Sequence, residues 1–321
     1  MELRKLGQSD VRITPIALGC WQFNDGVGFA GRFWPTLQDV PARAIIQASL
    51  DGGVNWFDTA EMYGHGRSEE CLADGLKAAG AAPEDVVIAT KWHPMGRNAR
   101  SLLDTIETRK QCLGGFPIGL YQIHAPISFS SIPAEMRAMA QLLDEGHIRT
   151  AGVSNYSAAQ MRRAYAQLEK LGHPLVSNQV EYSILRRRIE SNGILETAKE
   201  LGMTIIAYSP LAQGLATGKF HDDAQLLRHA GRWRRYRRTW WKSSMRRSAP
   251  VIEELKTLAE KYGVSPGQVA LNWLIHFHGD MVVAIPGATK ISQAEQNAHT
   301  MTFQLAEEEL SRLDELSASL K

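Results

Sequence analysis

Apolar residues recur along this chain in short runs, separated by longer stretches with apolar positions three and four apart. The runs occupy 13–19, 54–59, 86–91, 118–124, 148–154, 175–181, 203–209 and 281–287. Runs this short, bounded by polar and turn-forming residues, predict buried strands. The stretches between them carry a helical period, marked in one case by Met136, Met139, Leu142 and Leu143. Ser157 stands as a cap before another, and Ser265 with Pro266 opens a third. At the start, Leu3–Leu6 and Val11–Thr14 alternate about the turn residues Gly7, Ser9 and Asp10, which predicts a small hairpin. Strands alternating with helices imply parallel pairing through right-handed crossovers. Eight such units close into a (β/α)8 TIM barrel. A doubly wound open sheet is the rival arrangement, but no linker rich in Pro, Gly or Ser divides the chain. The expectation is one barrel domain over residues 1–321, with an N-terminal β-hairpin cap and a long basic insertion after strand 7.

Composition supports a folded chain. Of 321 residues 44% are hydrophobic, enough for a large core, and the 22% that are charged is an ordinary share. Lys plus Arg is 36 against 34 for Asp plus Glu, so the net charge of +2 argues for neither a nucleic-acid nor a membrane partner. The charge is unevenly spread. Between 224 and 252 there is no acidic residue, and Arg228, Arg232, Arg234, Arg235, Arg237, Arg238, Lys242, Arg246 and Arg247 leave the remainder with 27 cations against 34 anions. Trp233, Tyr236 and Trp240 are interleaved with them at helical spacing. Such a segment can grip cofactor phosphates, touch anionic lipid or nucleic acid, or lie solvated without a role. Cys20, Cys71 and Cys112 give neither a disulfide framework nor a metal knuckle, and no metal is expected. The first residues lack the apolar core of a secretory signal, and no uncharged apolar run reaches 18 residues. A cytoplasmic protein without membrane insertion is expected.

One apparent motif fails on context. Gly26, Gly28 and Gly31, with Asp51 twenty residues on, match the dinucleotide fingerprint GxGxxG. That fingerprint needs a helix to open at once, so that its N-terminus meets the pyrophosphate. Here Arg32, Phe33, Trp34, Pro35 and Thr36 follow, and the helical pattern starts only near Asp39 and Pro41. A loop over a pocket is the better reading.

Four ionisable residues stand at or just beyond the C-terminal ends of three consecutive strands. They are Asp58, Tyr63, Lys91 and His124. Adjacent strands lie about 4.8 Å apart, so three neighbouring ends hold these groups within roughly 10 Å. In a barrel that rim carries the active site. A tyrosine hydroxyl can act as a general acid, and a nearby ammonium lowers its pKa. Asp58 can balance Lys91, and an imidazole can donate to an oxygen that gains negative charge. The set suits protonation of a carbonyl oxygen while a hydride reaches the carbon. Any one of these residues could equally serve as a structural ion pair or hold a loop.

The segments 57–76, 88–94 and 120–126 closely resemble the aldo-keto reductase superfamily. The resemblance continues through 146–157, 177–183, 208–219 and 285–298, in order and over nearly the whole chain. The Arg-rich insertion is similar to that of the bacterial and plant branch acting on small aldehydes. The resemblance implies a barrel, a nicotinamide cofactor, and a catalytic tetrad of Asp58, Tyr63, Lys91 and His124. Tyr63 would donate the proton, Lys91 would lower its pKa, Asp58 would hold Lys91 charged and His124 would orient the carbonyl. It implies that Ser154, Asn155 and Gln179 hold the carboxamide and that Tyr208 stacks on the nicotinamide. Ser209, Leu211, Gly214 and Lys219 would form the loop over the pyrophosphate. Gly287, Thr289, Lys290, Gln293, Gln296 and Asn297 would take the adenosine end. From the residues alone, Asn155 could instead cap a helix and Tyr208 could be core packing.

Departures from the family pattern bear on specificity. Gln296 replaces a Glu that commonly meets the adenine, and Gln293 stands where some members carry an Arg for the 2′-phosphate. Lys290 and the basic insertion are left to serve, so NADPH is expected in preference to NADH. Cys20 replaces a common Thr beside Trp21, which is expected to touch cofactor and substrate. Trp21 and Trp92, at strand ends, are expected to wall the substrate pocket, with Phe29, Phe33 and Trp34 adding to its mouth. Trp56 is expected in the core. An aromatic mouth favours a small or apolar carbonyl substrate. Two other readings remain on the page. One is a regulatory subunit that senses a bound nucleotide. The other is a barrel lyase with Lys91 as a Schiff-base lysine, which leaves Tyr208 and 285–298 unexplained.

Overall fold

The computed structural model describes residues 2–24, 39–223, 225–226 and 238–320. Strands β1 (Arg4–Lys5) and β2 (Arg12–Ile13) form the antiparallel hairpin. Eight parallel strands follow, hydrogen-bonded in sequence order. They are β3 (Leu18–Gly19), β4 (Trp56–Asp58), β5 (Val87–Trp92), β6 (Ile118–Ile123), β7 (Ile148–Ser154), β8 (Leu175–Glu181), β9 (Thr204–Tyr208) and β10 (Val282–Ala284). Parallel bridges from Ile16 to Ala284 and from Gly19 to Gly287 join the last strand to the first. The molecule is therefore a closed (β/α)8 barrel. Gly19 is needed at that seam, because a Cβ there would lie 2.7 Å from the Ile285 carbonyl oxygen. The run read as one strand over 13–19 is split in two. Pro15 has no N–H to give a ladder, and its carbonyl accepts from Ala284 at 2.9 Å where the chain enters the barrel.

The helices are α1 (Asp39–Asp51), α2 (Arg67–Ala78), α3 (Arg100–Cys112), α4 (Ile132–Asp144), α5 (Ala158–Glu169) and α6 (Ile194–Glu200). A short α7 (Lys219–Asp222), α8 (Arg238–Tyr262), α9 (Pro266–His276), α10 (Ile291–His299) and α11 (Glu307–Ser317) complete the set. Ser157 and Ser265 each close a capping box with the Gln three residues on. No helix among the described residues is long and apolar enough to cross a membrane.

Side-chain alternation divides the core into two layers. Trp56, Val87, Ala89, Leu120, Val176, Ile206 and Val283 pack inside the barrel with Leu6, Val11 and Ile13 of the hairpin, which thus plugs the bottom. Phe57, Ile88, Tyr121 and Ile205 belong to the outer layer against the helices. An apolar floor with a closed lower end leaves the upper mouth as the place for chemistry.

Of the basic segment, 227–237 and Ala224 lie outside the described residues, and with them Arg228, Arg232, Arg234, Arg235 and Arg237. The loop carrying Gly26, Gly28, Gly31, Phe29, Phe33 and Trp34 does too. Asp51, which completed the rejected fingerprint, ends α1 and accepts from Gln47 at 2.8 Å. Arg247 faces the C-terminal segment, where its guanidinium donates to the Ser319 carbonyl at 2.9 Å.

Candidate active site

The period of two that fills the barrel floor also builds its upper layer. Above Trp56 on β4 the next inward residue is Asp58, and above Ala89 on β5 it is Lys91. Lys91 has no solvent exposure and Asp58 2%. The ammonium donates to Asp58 Oδ1 at 2.5 Å and to the Thr59 carbonyl at 2.8 Å. Asp58 Oδ2 accepts from Gln179 Nε2 at 2.8 Å and from Gln122 Nε2 at 3.5 Å. A buried ion pair is tolerated when further hydrogen bonds satisfy its lone pairs and protons, and here the Thr59 carbonyl and the Gln179 and Gln122 amides supply them.

Tyr63 arrives from the loop after β4. Its ring lies 5.3 Å from Lys91 Nζ, 5.8 Å edge-on from the His124 ring and 5.1 Å from the Trp21 ring. The structure thus brings Asp58, Tyr63, Lys91 and His124 to one rim. Burial pushes the Tyr63 hydroxyl well above its usual 10, and Asp58, Cys20 and Tyr208 push the same way. Burial therefore sets the net direction, upward, against the lowering expected from Lys91. The ammonium sits directly on Asp58, so the phenol meets an ion pair rather than a free cation. Burial, Lys91 and His93 together depress His124 well below 6.5, so its ring is neutral at pH 7. Its Nδ1 is buried without a hydrogen-bond partner.

A polar strip runs on from β7 to β9. Ser154 Oγ donates to the Gln179 carbonyl at 2.9 Å. Asn155 adopts φ +60°, and its Nδ2 donates to the His124 carbonyl at 3.2 Å and to Ser154 Oγ at 3.0 Å. Its Oδ1 accepts from the Tyr208 hydroxyl at 3.0 Å. Asn155 is therefore no helix cap, since Ser157 holds that place, and Tyr208 is partly buried at the mouth, packed against the inner core of the barrel. Burial pushes the Tyr208 hydroxyl up to about 12. Beyond it, Ser209, Ala212, Gln213 and Gly214 all have left-handed φ, and Lys219 passes 3.4 Å from where a Cβ on Gly214 would stand. Leu211 lies in the same loop, half-buried.

At the far end Gly287 follows β10, and α10 begins after Lys290, which is exposed and makes no side-chain cap. Gln293 Oε1 accepts from the Thr289 amide at 2.7 Å and from its hydroxyl at 3.1 Å. Gln296 is exposed and Asn297 buried.

Trp92 is a correction. One residue past inward-facing Lys91, it points outward into the barrel–helix layer and has no exposure. Its indole N–H donates to Ser101 of α3 at 3.0 Å, and Arg97 covers its ring at 5.6 Å. It walls no substrate pocket. Trp21 is 36% exposed beside Tyr63, and Trp56 is buried with its N–H on the Thr14 carbonyl. Sequence reasoning missed Gln122 and the Thr59 carbonyl. Gln122 was within reach of the inward parity of β6, whereas a backbone carbonyl carries no sequence signal.

The model of the aldo/keto reductase family matches residues 15–318. The chain belongs to the aldo/keto reductase family. Membership makes it an NAD(P)H-dependent oxidoreductase that reduces carbonyl groups. This aldo/keto reductase is 36% identical over 296 residues to an uncharacterized oxidoreductase of Mycobacterium tuberculosis, covering 92% of this chain and 86% of the relative. It is 33% identical to an aldo-keto reductase of Strobilurus tenacellus, covering 98% and 91%. Among solved structures it is similar to a thermostable aldo-keto reductase in complex with the inhibitor epalrestat. There the TM-score is 0.79 and the identity 28%, over 98% of this chain and 100% of that one. It is also similar to an aldo/keto reductase from Klebsiella pneumoniae in complex with NADP and acetate, at TM-score 0.75 and 26% identity, over 98% and 95%.

Proposed function

We propose that this protein, one barrel domain over residues 1–321, reduces small aldehydes and ketones to alcohols with NADPH, using Tyr63 as the proton donor. The observation that carries this reading is the convergence of a buried phenol, a neutral imidazole and a charge-balanced ammonium at one rim. When bound, the nicotinamide supplies a hydride to the carbonyl carbon.

The side chains of the rim do the rest. Tyr63 reaches the reaction protonated, because burial holds its pKa up. It gives that proton to the carbonyl oxygen as negative charge grows there. His124, neutral, donates a hydrogen bond to the same oxygen and positions it. Lys91 balances the phenolate left after transfer, at the moment when it is worth most, and Asp58 keeps the ammonium in place between turnovers. Trp21, at the open side of Tyr63, contacts the substrate and the cofactor.

The residues present fit a nicotinamide dinucleotide. His124 Nδ1 is a buried polar atom without a partner. Ser154, Asn155 and Gln179 combine donors and acceptors as a carboxamide requires. Gln179 Nε2 is committed to Asp58, which leaves its carbonyl for the ligand amide. Tyr208 would stack on the ring, and Ser209, Leu211, Gly214 and Lys219 would take the pyrophosphate. Gly287, Thr289, Gln296 and Asn297 would take the adenosine. The choice of NADPH over NADH rests on exposed Lys290 at the N-terminus of α10, where the helix dipole also favours an anion. Gln293 is occupied by Thr289 and adds little to that choice. The relative from Klebsiella pneumoniae holds NADP, in agreement with it. Cys20, Cys71 and Cys112 form no disulfide with one another, which fits action in the reducing cytoplasm.

A panel of carbonyl compounds with NADPH and with NADH, followed by cofactor absorbance, tests the reading. Tyr63→Phe is expected to lower turnover by roughly 10² to 10⁴ while NADPH affinity holds. Full activity in that variant would sink it. Borohydride trapping of substrate on Lys91 would favour the lyase instead.

A further inference from the structure

We propose that Glu69 is a positioning residue for this reaction, fastening the strand that carries Lys91 to the helix that follows the Tyr63 loop. The inference rests on Tyr63 and Lys91 acting as proposed above.

Glu69 has no solvent exposure, although it lies in the first turn of a helix six residues after Tyr63. Carboxylates are almost never buried so completely unless paired. One of its oxygens accepts from Thr90 Oγ1 at 2.6 Å, and the other pairs with the Arg109 guanidinium of α3, itself 4% exposed. Burial outweighs both partners and pushes the Glu69 carboxyl up to about 7. Stability does not account for such a group, because well-packed apolar residues often replace a buried ion pair without loss. What the pair provides is a fixed geometry.

The geometry leads to the reacting groups in two directions. Thr90 and Lys91 are neighbours on β5 and face opposite sides of the sheet. Fixing the outward side chain of Thr90 therefore fixes the rotation of the strand about its axis, and with it the inward aim of Lys91. In the other direction, Ser68 precedes Glu69 and closes the loop that holds Tyr63. Its hydroxyl donates to the Cys20 carbonyl at 2.7 Å and accepts from Thr59 at 2.9 Å. Its amide donates to the Tyr63 carbonyl at 3.1 Å. Thr59 in turn offers its carbonyl to Lys91. The Tyr63 loop is thus tied at both ends to α2, and Glu69 anchors α2 to the strand of Lys91. A residue that touches neither substrate nor cofactor then sets the distance between acid and ammonium.

The test is steady-state kinetics on the full chain with NADPH and an aldehyde that the wild type reduces. Thermal denaturation is recorded beside it. Thr90→Val keeps shape and burial but removes the donor. It is expected to lower kcat about 10-fold with KM and NADPH affinity nearly unchanged, and to lower Tm modestly, because one oxygen of the buried Glu69 loses its donor. Glu69→Ala is expected to lower kcat about 10- to 100-fold, the effect of misplacing a reacting group by about 1 Å. Adding Thr90→Val to it should cost nothing further, because both break one link. Glu69→Gln keeps an acceptor for Thr90 and should restore kcat to within about 3-fold while Tm falls, since Arg109 loses its counter-charge. Wild-type kcat in folded Thr90→Val overturns the proposal, as does a loss of kcat that only tracks Tm across the series. Tyr63→Phe run in parallel separates the two claims. If it is inactive while Thr90→Val is fully active, only the positioning role fails. If it is active, the assignment of the acid fails first.

Discussion

Replacing Asp58 by Asn and Lys91 by Met, singly and together, separates what their ion pair does for stability from what it does for chemistry. Lys91 is wholly buried and its nitrogen donates to Asp58 at 2.5 Å and to the Thr59 carbonyl at 2.8 Å. Asp58→Asn leaves that nitrogen with the carbonyl alone, above a floor of Trp56, Val87, Ala89 and Leu120. Removing one member of a buried pair costs about 3–5 kcal/mol. At about 2.1 cal/mol/K per residue, 321 residues lose roughly 4–7 °C of Tm for that cost. Lys91→Met is milder, because the Asp58 carboxylate keeps the Gln179 and Gln122 amides.

The double variant decides the matter. With both charges gone, no buried charge is unpaired; the Thr59 carbonyl loses one donor, and the Met side chain continues the apolar floor. Tm is expected to return to within a few degrees of the wild type, a coupling energy of about 3 kcal/mol between the two sites. Turnover is expected to stay at least about 10²-fold down in Lys91→Met and in the double variant, because neither retains the charge that balances a phenolate. Thermal denaturation by circular dichroism and cofactor absorbance supply the two readings. Additive losses of stability would refute the argument that the pair is kept for its charge and costs nothing to remove whole.

The acid side of the stability profile follows from the histidines. His124, His93, His221 and His276 are all depressed below 6.5, each chiefly by burial. The unfolded chain binds these protons first, so their contribution is complete above pH 6.5 and is lost as pH falls through the folded values. Tm measured from pH 8 to pH 5 should drop below 6.5, and less steeply in His124→Asn. Away from the mouth, Arg187 is wholly buried and donates to Glu190 at 2.7 Å and to Ser317 at 2.6 Å, with Asp314 as a third partner and the Trp273 ring 4.8 Å below. Arg187→Met removes the buried cation that balances Glu190 and Asp314 and is expected to cost about 3–5 kcal/mol in chemical denaturation; a loss under 1 kcal/mol would contradict the accounting.

What could be read from the chain depended on whether a residue's role was set by its own strand or by what lies across from it. The spans 148–154 and 175–181 are strands over their whole predicted length, because uninterrupted apolar character marks a strand buried on both faces. The span 13–19 broke at Pro15, where chemistry overrode hydropathy. The period of two already distinguishes Lys91 from Trp92, and the expectation that both face the mouth ignored it. Asn155 was ambiguous between a cap and a ligand group until its left-handed φ and the cap at Ser157 were visible. The direction of the Tyr63 pKa was not legible at all, for it depends on burial that converging elements create, and then on the nearness of Asp58. Glu69 shows the same limit from the other side. On a helix wheel a carboxylate in a first turn is an ordinary favourable charge at the positive end of a helix dipole. Only Thr90 and Arg109, 21 and 40 residues away, turn it inward. Inward parity on the strands therefore finds Asp58 and Lys91, the ion pair of the proposed site. The residues that aim them stand on the outward face, where sequence pattern alone reads them as core or as surface.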